Sequence, residues 1–334
     1  MGIQMSKQRI LAMLLEQRED YLSGEAMSQR LGISRAAVNK AVNALRQDGY
    51  QIESATRKGY RLIDAPDRLT EGEIVPWLRS EHLGKSLFCF PSIDSTNSFL
   101  KREAQDLSSG TVAVADHQTG GRGRQGRSFH SPRGTGIYLS VLLKPQVPPT
   151  QALNLTAYVA VAVCEAVEQA TGLKAGIKWT NDLVLNGRKI CGILTEMSIE
   201  GESGALQYVV PGIGLNVNEE ETDFPEEIRS VAGSLAMASG RKIRRGRLTA
   251  EMINSLDRMY AAWQTGGGDY LNRYRAACVT IGKEVQILRA GHPPREAFAE
   301  DIDDSFGLVV RYHDGTRETV TSGEVSVRGL WGYL

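Results

Sequence analysis

Lys178-Trp-Thr-Asn-Asp182 places an amine, an amide and a carboxylate within five residues. So dense a set can hold anions and a metal together. It can equally be a charged strand end closed by a surface salt bridge, and the pentapeptide alone does not decide. Residues 120–127 read Gly-Gly-Arg-Gly-Arg-Gln-Gly-Arg. Glycine lets a backbone turn sharply and come close to a ligand. Arginine supplies planar, permanently charged donors that suit carboxylate and phosphate. The octapeptide is therefore suited to closing over an anion, the bland alternative being a solvated surface loop. Ile93-Asp-Ser-Thr-Asn97 adds hydroxyls and an amide. These can read a neutral polar ligand or simply cap a helix, the commoner use.

The elements around these residues narrow the chemistry. Gly121, Gly123 and Gly126 satisfy Gly-x-Gly-x-x-Gly, which in a dinucleotide site follows a strand and opens a helix. Residues 111–115, Thr-Val-Ala-Val-Ala, read as the strand. Pro132, Gly134 and Gly136 forbid a regular helix afterwards, and residues 137–143 read as another strand. The dinucleotide reading fails. A long helix is expected near 149–170, with Thr150 able to cap it and Gly172 to end it. A strand near 174–179 then carries Lys178. Asn186-Gly187 is a strong hairpin signal joining 183–185 to 189–197. A strand at 207–217 holds Gly212-Ile-Gly-Leu-Asn216, and a helix near 248–264 completes an α+β body. Short alternating segments from Lys283 onward suggest a small β-barrel.

The N-terminal region has a different character. Residues 6–18 read as a helix with Ile10, Leu11, Leu14 and Leu15 on one face. Ser23 can cap a second helix and Ser34 a third, 35–47, whose buried stripe is Val38, Val42 and Leu45. A turn containing Gly32 between them makes a helix-turn-helix. Residues 51–63 alternate like a hairpin with Arg57-Lys58-Gly59 at its tip, a basic wing. The third helix is expected to enter a DNA major groove through Ser34, Arg35, Asn39 and Lys40, while Arg57 and Lys58 touch backbone phosphate. The alternative is a small helical domain that contacts only protein. Residues 1–65 carry 3 Lys and 7 Arg against 7 acids, within a chain of zero net charge. This modest excess permits a nucleic-acid partner without proving one. Residues 64–67 are expected to be a linker. The run Arg241-Lys-Ile-Arg-Arg-Gly-Arg247 could bind nucleic acid, but is expected to be a solvated stretch before a helix.

Composition sets outer bounds. The 334 residues suffice for two or three domains. No apolar run is read as approaching the roughly 20 residues that span a membrane, and residues 1–8 lack a signal-peptide core. The fit of Met1-Gly2 and Ser6 to a myristoylation pattern is read as chance. Cys89, Cys164, Cys191 and Cys278 are far apart, which argues for a reducing cytoplasm and against a disulfide framework or a zinc site. The five histidines show no ligand spacing.

The Asp-Ser-Thr-Asn run, Gly-Arg-Gly-Arg-x-Gly-Arg, Lys-Trp-x-Asn-Asp and Gly-Ile-Gly-Leu-Asn occur in the order found in bacterial biotin protein ligases that double as biotin-operon repressors. The chain resembles that family over nearly its whole length, including the helix pair around Leu31-Gly-Ile-Ser-Arg-Ala-Ala-Val-Asn-Lys40. The resemblance implies three parts: a winged helix-turn-helix (1–65), a mixed-sheet α+β ligase domain (66–278) and an SH3-like β-barrel (279–334). It implies that biotin's carboxylate attacks the α-phosphorus of ATP, with Mg²⁺ present. A lysine of a biotin carboxyl carrier domain then takes the biotinyl group from biotinyl-5′-AMP. Lys178, Arg124 and Asp182 become the catalytic candidates, Asp182 being a weak candidate base for the acceptor lysine. Ser95, Thr96, Asn97 and Gln118 match biotin-binding positions. Arg122, Gly123 and Arg124 match the loop over the adenylate, with Arg127 assigned to phosphate. Phe129 stands where the family usually has Trp and could stack on adenine. Asn181 and Asn216 match positions serving ATP and Mg²⁺. The resemblance further implies operator DNA as a partner, an adenylate-promoted homodimer and a cytoplasmic location without membrane attachment. Two departures stand out: Thr180 replaces the usual proline, expected to alter backbone stiffness only, and Gln125 replaces a frequent arginine. Alternatives are a ligase whose helix-turn-helix does not repress, a repressor with a decayed ligase domain, and ligation of lipoate or octanoate.

Overall fold

Two serines set where the N-terminal helices begin. Ser23 accepts a hydrogen bond from the Ala26 amide and Ser34 from the Ala37 amide, each satisfying a donor that a helix start leaves open. The computed structural model describes residues 2–17, 19–289, 291–321 and 325–329. Helices α1 (Gly2–Glu16), α2 (Gly24–Leu31) and α3 (Arg35–Gln47) bury Ile10, Leu14, Met27, Val38, Val42 and Leu45 in one small core. The expected end of the first helix at Arg18 falls on a residue outside the described set. Strands β1 (Gln51–Ala55) and β2 (Gly59–Asp64) form the antiparallel wing, with Arg57 and Lys58 exposed at its tip.

Residues 64–67, expected to be a plain linker, are fastened to the central body. The Arg244 guanidinium donates to the Asp64 carboxylate at 2.7 Å and to the Ala65 carbonyl. Arg245 is fully buried and donates to the carboxylates of Asp67 and Asp116, both at 2.7 Å, and to the carbonyls of Asp67 and Gly136. Arg247 lies over the Trp77 ring at 5.1 Å. The expected solvated stretch before a helix holds for Arg241, Lys242, Arg244 and Arg247, which are exposed, but not for Arg245, which is buried at the start of the helix Arg245–Thr265. A guanidinium has five donors, and two carboxylates and two carbonyls supply what its burial demands. Burial alone would lower the Arg245 pKa, but Asp67 and Asp116 together hold it above the ordinary value.

The central body contains α4 (Glu71–Ile74), β3 (Leu87–Phe90), α5 (Thr96–Arg102), β4 (Val112–Ala115), β5 (Ile137–Val141), α6 (Pro149–Ala152), α7 (Leu155–Thr171), β6 (Gly176–Lys178), β7 (Asp182–Leu185), β8 (Arg188–Ile199), β9 (Leu206–Leu215), α8 (Glu226–Arg229), α9 (Leu235–Ser239), α10 (Arg245–Thr265) and α11 (Tyr270–Ala277). Its seven strands run β3-β4-β5-β9-β8-β7-β6, with only β3–β4 parallel. Period-2 alternation sends Val112 and Val114 into the main core with α7 and α10, and Ala113 to a smaller cluster with Leu100 of α5. Ile213 likewise joins the main core, so Gly212 and Gly214 face the α5 side, where the cleft lies.

The single helix expected near 149–170 is broken. Pro149 opens α6, Thr150 makes no capping bond, and Asn154 spends its side-chain oxygen on the Trp263 indole N–H at 3.0 Å. Gly172 ends α7 in the left-handed conformation, as expected. The segment Pro149–Thr171 is long and apolar enough to cross a membrane by length and composition, a length the sequence reading overlooked. Here it is a core helix, with Val159, Ala160, Ala162 and Val163 buried beside α10.

Strands β10 (Glu284–Arg289), β11 (Arg295–Ile302), β12 (Leu308–Tyr312), β13 (Arg317–Val320) and β14 (Val325–Gly329) form an antiparallel sheet in the order β13-β12-β11-β10-β14. No pair closes it into a barrel among the described residues. Val285, Ala297, Leu308 and Val310 belong to the same buried cluster as the central sheet. Residues 330–334, the end of the expected third domain, lie outside the described set.

Candidate functional site

A cleft of about 500 Å³ opens on the α5 side of the sheet. Its floor is the pairing of β8 with β9, which sets Gly192 against Gly214 and Leu194 against Gly212. Glycine is required here by close approach. A Cβ at Gly212 would lie 2.0 Å from Asn97 Oδ1, and one at Gly214 would lie 2.4 Å from the Phe129 ring. The Gly-Ile-Gly-Leu-Asn motif thus provides a flat floor with Asn216 at its edge. The Asn216 amide donates to the Gly233 carbonyl at 2.9 Å.

One end of the cleft is a closed polar network. Ser95 is both the N-cap of α5, accepting weakly from the Ser98 amide, and a lining residue. Gln118 Oε1 accepts from the Thr96 amide at 2.9 Å and lies 3.2 Å from the Thr96 hydroxyl oxygen, while Gln118 Nε2 donates to Ser131 at 3.2 Å. Thr96 and Ser140 hydroxyls share a hydrogen bond at 2.7 Å, and Ser140 donates to Asn97 Oδ1. Asn97 Nδ2 donates to Glu196 at 2.9 Å and to the Leu194 carbonyl at 3.3 Å. Lys101 closes the chain onto Glu196 at 2.6 Å. Burial alone would raise the Glu196 pKa, yet the hydrogen bonds from Lys101 and Asn97 hold it below the ordinary value. Asn97 has both amide hydrogens and an oxygen lone pair committed inside the protein. It lines the cleft and reaches Thr96 through Ser140.

The other end is cationic. The glycine–arginine loop is tied to itself by Gly123 N–H to the Arg127 carbonyl at 2.7 Å and Phe129 N–H to the Gly121 carbonyl at 3.0 Å. Between them Arg124–Gly126 makes a single tight turn, with Gln125 at φ 56°. This turn presents Arg124 to the end of β6, where its guanidinium donates to Thr180 Oγ1 and Asn181 Oδ1, each at 3.1 Å. Burial pulls the Arg124 pKa below its ordinary value, and Arg127 adds to this while Asp182 opposes it. Asn181 Nδ2 donates to the Ile193 carbonyl, which fixes its oxygen toward Arg124. Thr180 therefore does more than change backbone stiffness, because its hydroxyl is an acceptor that a proline lacks. The Trp179–Thr180 peptide bond is cis. Trp179 is held by the C-terminal sheet region, its amide donating to Thr280 Oγ1 and its indole N–H to the Phe306 carbonyl, both at 2.9 Å.

Ser95, Thr96, Asn97, Gln118, Arg122, Gly123, Arg124, Arg127, Phe129, Lys178, Asn181, Asp182 and Asn216 all line this one cleft. Phe129 lies over the floor glycines, edge-on to Tyr138 at 6.5 Å. Lys189 was missed by sequence reasoning. It lines the cleft and pairs with Asp182 at 2.6 Å. The hairpin signal could have found it, since the β7–β8 register brings residues 182–184 opposite 189–192. Ser131, Ser140 and Glu196 were also missed, and single serines or a strand glutamate carry no local signal. Among the described lining residues Asp182 is the only carboxylate, facing Arg122, Arg124, Arg127, Lys178 and Lys189.

The DNA-binding candidates fall in a separate place. Ser34 is spent as the α3 cap. Arg35 lies 3.5 Å from Glu25, while Asn39, Lys40, Arg57 and Lys58 are exposed on α3 and the wing. Lys58 and Arg61 lie over the Tyr21 ring at 5.7 and 4.8 Å.

Comparison with known proteins accords with this geometry. Residues 89–216 match the biotin/lipoate A/B protein ligase family, 6–61 an HTH domain, and 280–328 the biotin protein ligase C terminal domain. The chain is 41% identical over 249 residues to the bifunctional ligase/repressor BirA of Bacillus spizizenii, covering 74% of this chain and 76% of the relative. It is 30% identical over 310 residues to that of Escherichia coli, covering 92% and 94%. Among solved structures, the biotin protein ligase from Aquifex aeolicus in complex with biotin and ATP superposes with a TM-score of 0.63 at 29% identity, covering 73% of this chain and 99% of that one. The chain belongs to the biotin protein ligases of the bifunctional ligase/repressor kind.

Proposed function

We propose that the protein activates biotin with ATP as biotinyl-5′-AMP, transfers biotin to a lysine of a biotin carboxyl carrier protein, and represses transcription from a biotin operator. The observation that carries the ligase reading is the pairing, in one cleft, of a buried hydroxyl–amide network with five cations facing a single carboxylate. The network end suits the ureido ring of biotin, whose N–H and C=O groups need fixed partners. Its hydroxyls and amides favour a polar head group over the plain acyl chain of octanoate. Lys178 is assigned to the charge between the biotin carboxylate and the α-phosphate, where two anions approach each other. Arg124 and Arg122 order the loop over the product, and Arg127 and Lys189 serve phosphate. The loop excludes water from a mixed anhydride that water would hydrolyse. Phe129 and the wall formed by Phe224, Ile228, Val231 and Ala232 offer an apolar slot for adenine, with Asn216 at its rim.

The first step forms a bond between a biotin carboxylate oxygen and the α-phosphorus and releases pyrophosphate. The second forms an amide with the acceptor lysine and releases AMP, the lysine's proton passing to a base for which Asp182 is the candidate. The donor set fits Mg²⁺ carried on ATP phosphates rather than a dedicated protein cage, because Asp182 is the one carboxylate among the described lining residues. The winged helix-turn-helix supports the repressor half. Adenylate occupancy, by ordering the loop, is proposed to favour a homodimer on the operator. The domain limits proposed are 1–65, 66–278 and 279–334. The test mixes the protein with ATP, Mg²⁺, labelled biotin and a carrier domain. Labelled carrier is expected only with all components present, and an unlabelled carrier overturns the ligase reading.

A further inference from the structure

The exposed face of α3 carries a hydrogen-bonded ladder that the ligase chemistry does not use. Arg46 Nε and Nη2 donate to the Ile52 carbonyl at 3.0 and 2.7 Å, and Nη2 also donates to Ser54 at 2.6 Å. Arg46 is thereby bound to the wing and withdrawn from contact with DNA bases. Its Nη1 donates to Asn43 Oδ1 at 3.1 Å. Asn43 Nδ2 donates to Asn39 Oδ1 at 3.0 Å, and Asn39 Nδ2 donates to the Tyr60 hydroxyl at 3.1 Å.

The direction of this ladder follows from chemistry. An arginine can only donate, so Asn43 must turn its oxygen to Arg46 and its amide nitrogen to Asn39. Asn39 must then turn its oxygen to Asn43 and its nitrogen to Tyr60. Tyr60 is itself fixed, since its backbone exchanges both hydrogen bonds with Leu22 at 2.8 and 2.9 Å. These bonds use one N–H and one oxygen lone pair of Asn39, so the exposed amide keeps one donor on its nitrogen and one acceptor on its oxygen, with the two atoms assigned. A donor beside an acceptor is the complement of adenine's N7 and N6–H₂ in the major groove. Asn39 lies in the N-terminal half of α3, the part of a recognition helix that meets base edges.

Resting on the repressor reading, we infer that Asn39 reads an adenine in each operator half-site, its amide locked in the reading orientation by Arg46 through Asn43 and by Tyr60 of the wing. Asn39 touches the base; Arg46 and Tyr60 are positioning residues. The experiment selects duplexes from a random-sequence pool with the full chain in the presence of biotin and ATP. Wild type is expected to enrich an A·T pair at one fixed place in each half-site. Asn39→Ala is expected to lose discrimination there, roughly ten- to a hundredfold, and to keep the other positions. Tyr60→Phe and Arg46→Met are expected to blunt the same position alone, circular dichroism verifying each fold; if Arg46→Met does not fold, Tyr60→Phe carries the positioning test. An Asn39→Ala profile identical to wild type, or weakened equally everywhere, overturns the inference while the repressor reading stands. A wild-type pool with no enriched sequence overturns both.

Discussion

Thr180 is the residue whose role differs most from its sequence reading. Its hydroxyl and the Asn181 oxygen together hold the Arg124 guanidinium at 3.1 Å, so one of the loop's two ties here is a side chain that stands where the family pattern usually has proline. Thr180→Val, which removes the acceptor at constant shape, is expected to release biotinyl-AMP faster. Arg124→Gly, which removes the donor, should release it faster still. Trapping of free adenylate by bystander lysines measures both, and retention equal to wild type in both variants contradicts the lid role. Lys178, Arg124 and the Ser95–Asn97 run were legible because their types and spacing are unusual. Lys189 and Glu196 were not, because each gains its meaning from a partner on another strand or helix. Asn97 was legible as part of the site, but its committed amide was not.

At the scale of elements, the 241–247 run shows why charge alone misleads. Arg245 joins the interdomain segment at Asp67 to Asp116, two residues before Gln118, and to Gly136. Arg245→Ala leaves two carboxylates without their buried partner, at a cost of about 3–5 kcal/mol, read as a lowered urea midpoint. Nearby, Glu219 is fully buried with one oxygen unpartnered, and burial pushes its pKa up to about 7. A carboxyl raised in the folded state stabilises fully below its unfolded value near 4.5 and loses that contribution as pH rises through about 7. Glu219→Gln is therefore expected to melt close to wild type at pH 5 and higher than wild type at pH 8, by up to about 3 kcal/mol. A constant gap between the two melting curves contradicts this. The caps at Ser23 and Ser34, the wing and the Asn-Gly hairpin were readable, since local hydrogen bonds and turn chemistry fix them, whereas the expected Thr150 cap is not made. The break at residues 153–154 was not, because Asn154 answers to Trp263 more than a hundred positions away.

For the whole molecule, the three-part order was readable from changes of period along the chain, whereas its integration was not. The interdomain segment is fastened by Arg244 and Arg245, and the C-terminal sheet shares a buried core with the ligase sheet and holds Trp179. Such coupling rests on contacts of long sequence separation that periodicity does not encode. A ligand that orders the loop is proposed thereby to favour a dimer, which is tested at this scale. Sedimentation velocity is expected to show a doubled mass with biotin and ATP together and not with either alone; a mass that does not change contradicts the proposed dimer.

The central claim is that the cleft makes biotinyl-5′-AMP with Lys178 at the reacting charges. The most direct measurement is single-turnover formation of labelled adenylate from biotin and ATP without carrier, in wild type and in Lys178→Ala, with thermal melts of both. Wild type is predicted to accumulate and retain adenylate, and Lys178→Ala to form it at least roughly 100-fold more slowly at an unchanged melting temperature. Adenylate formation at the wild-type rate by a folded Lys178→Ala protein would contradict the account.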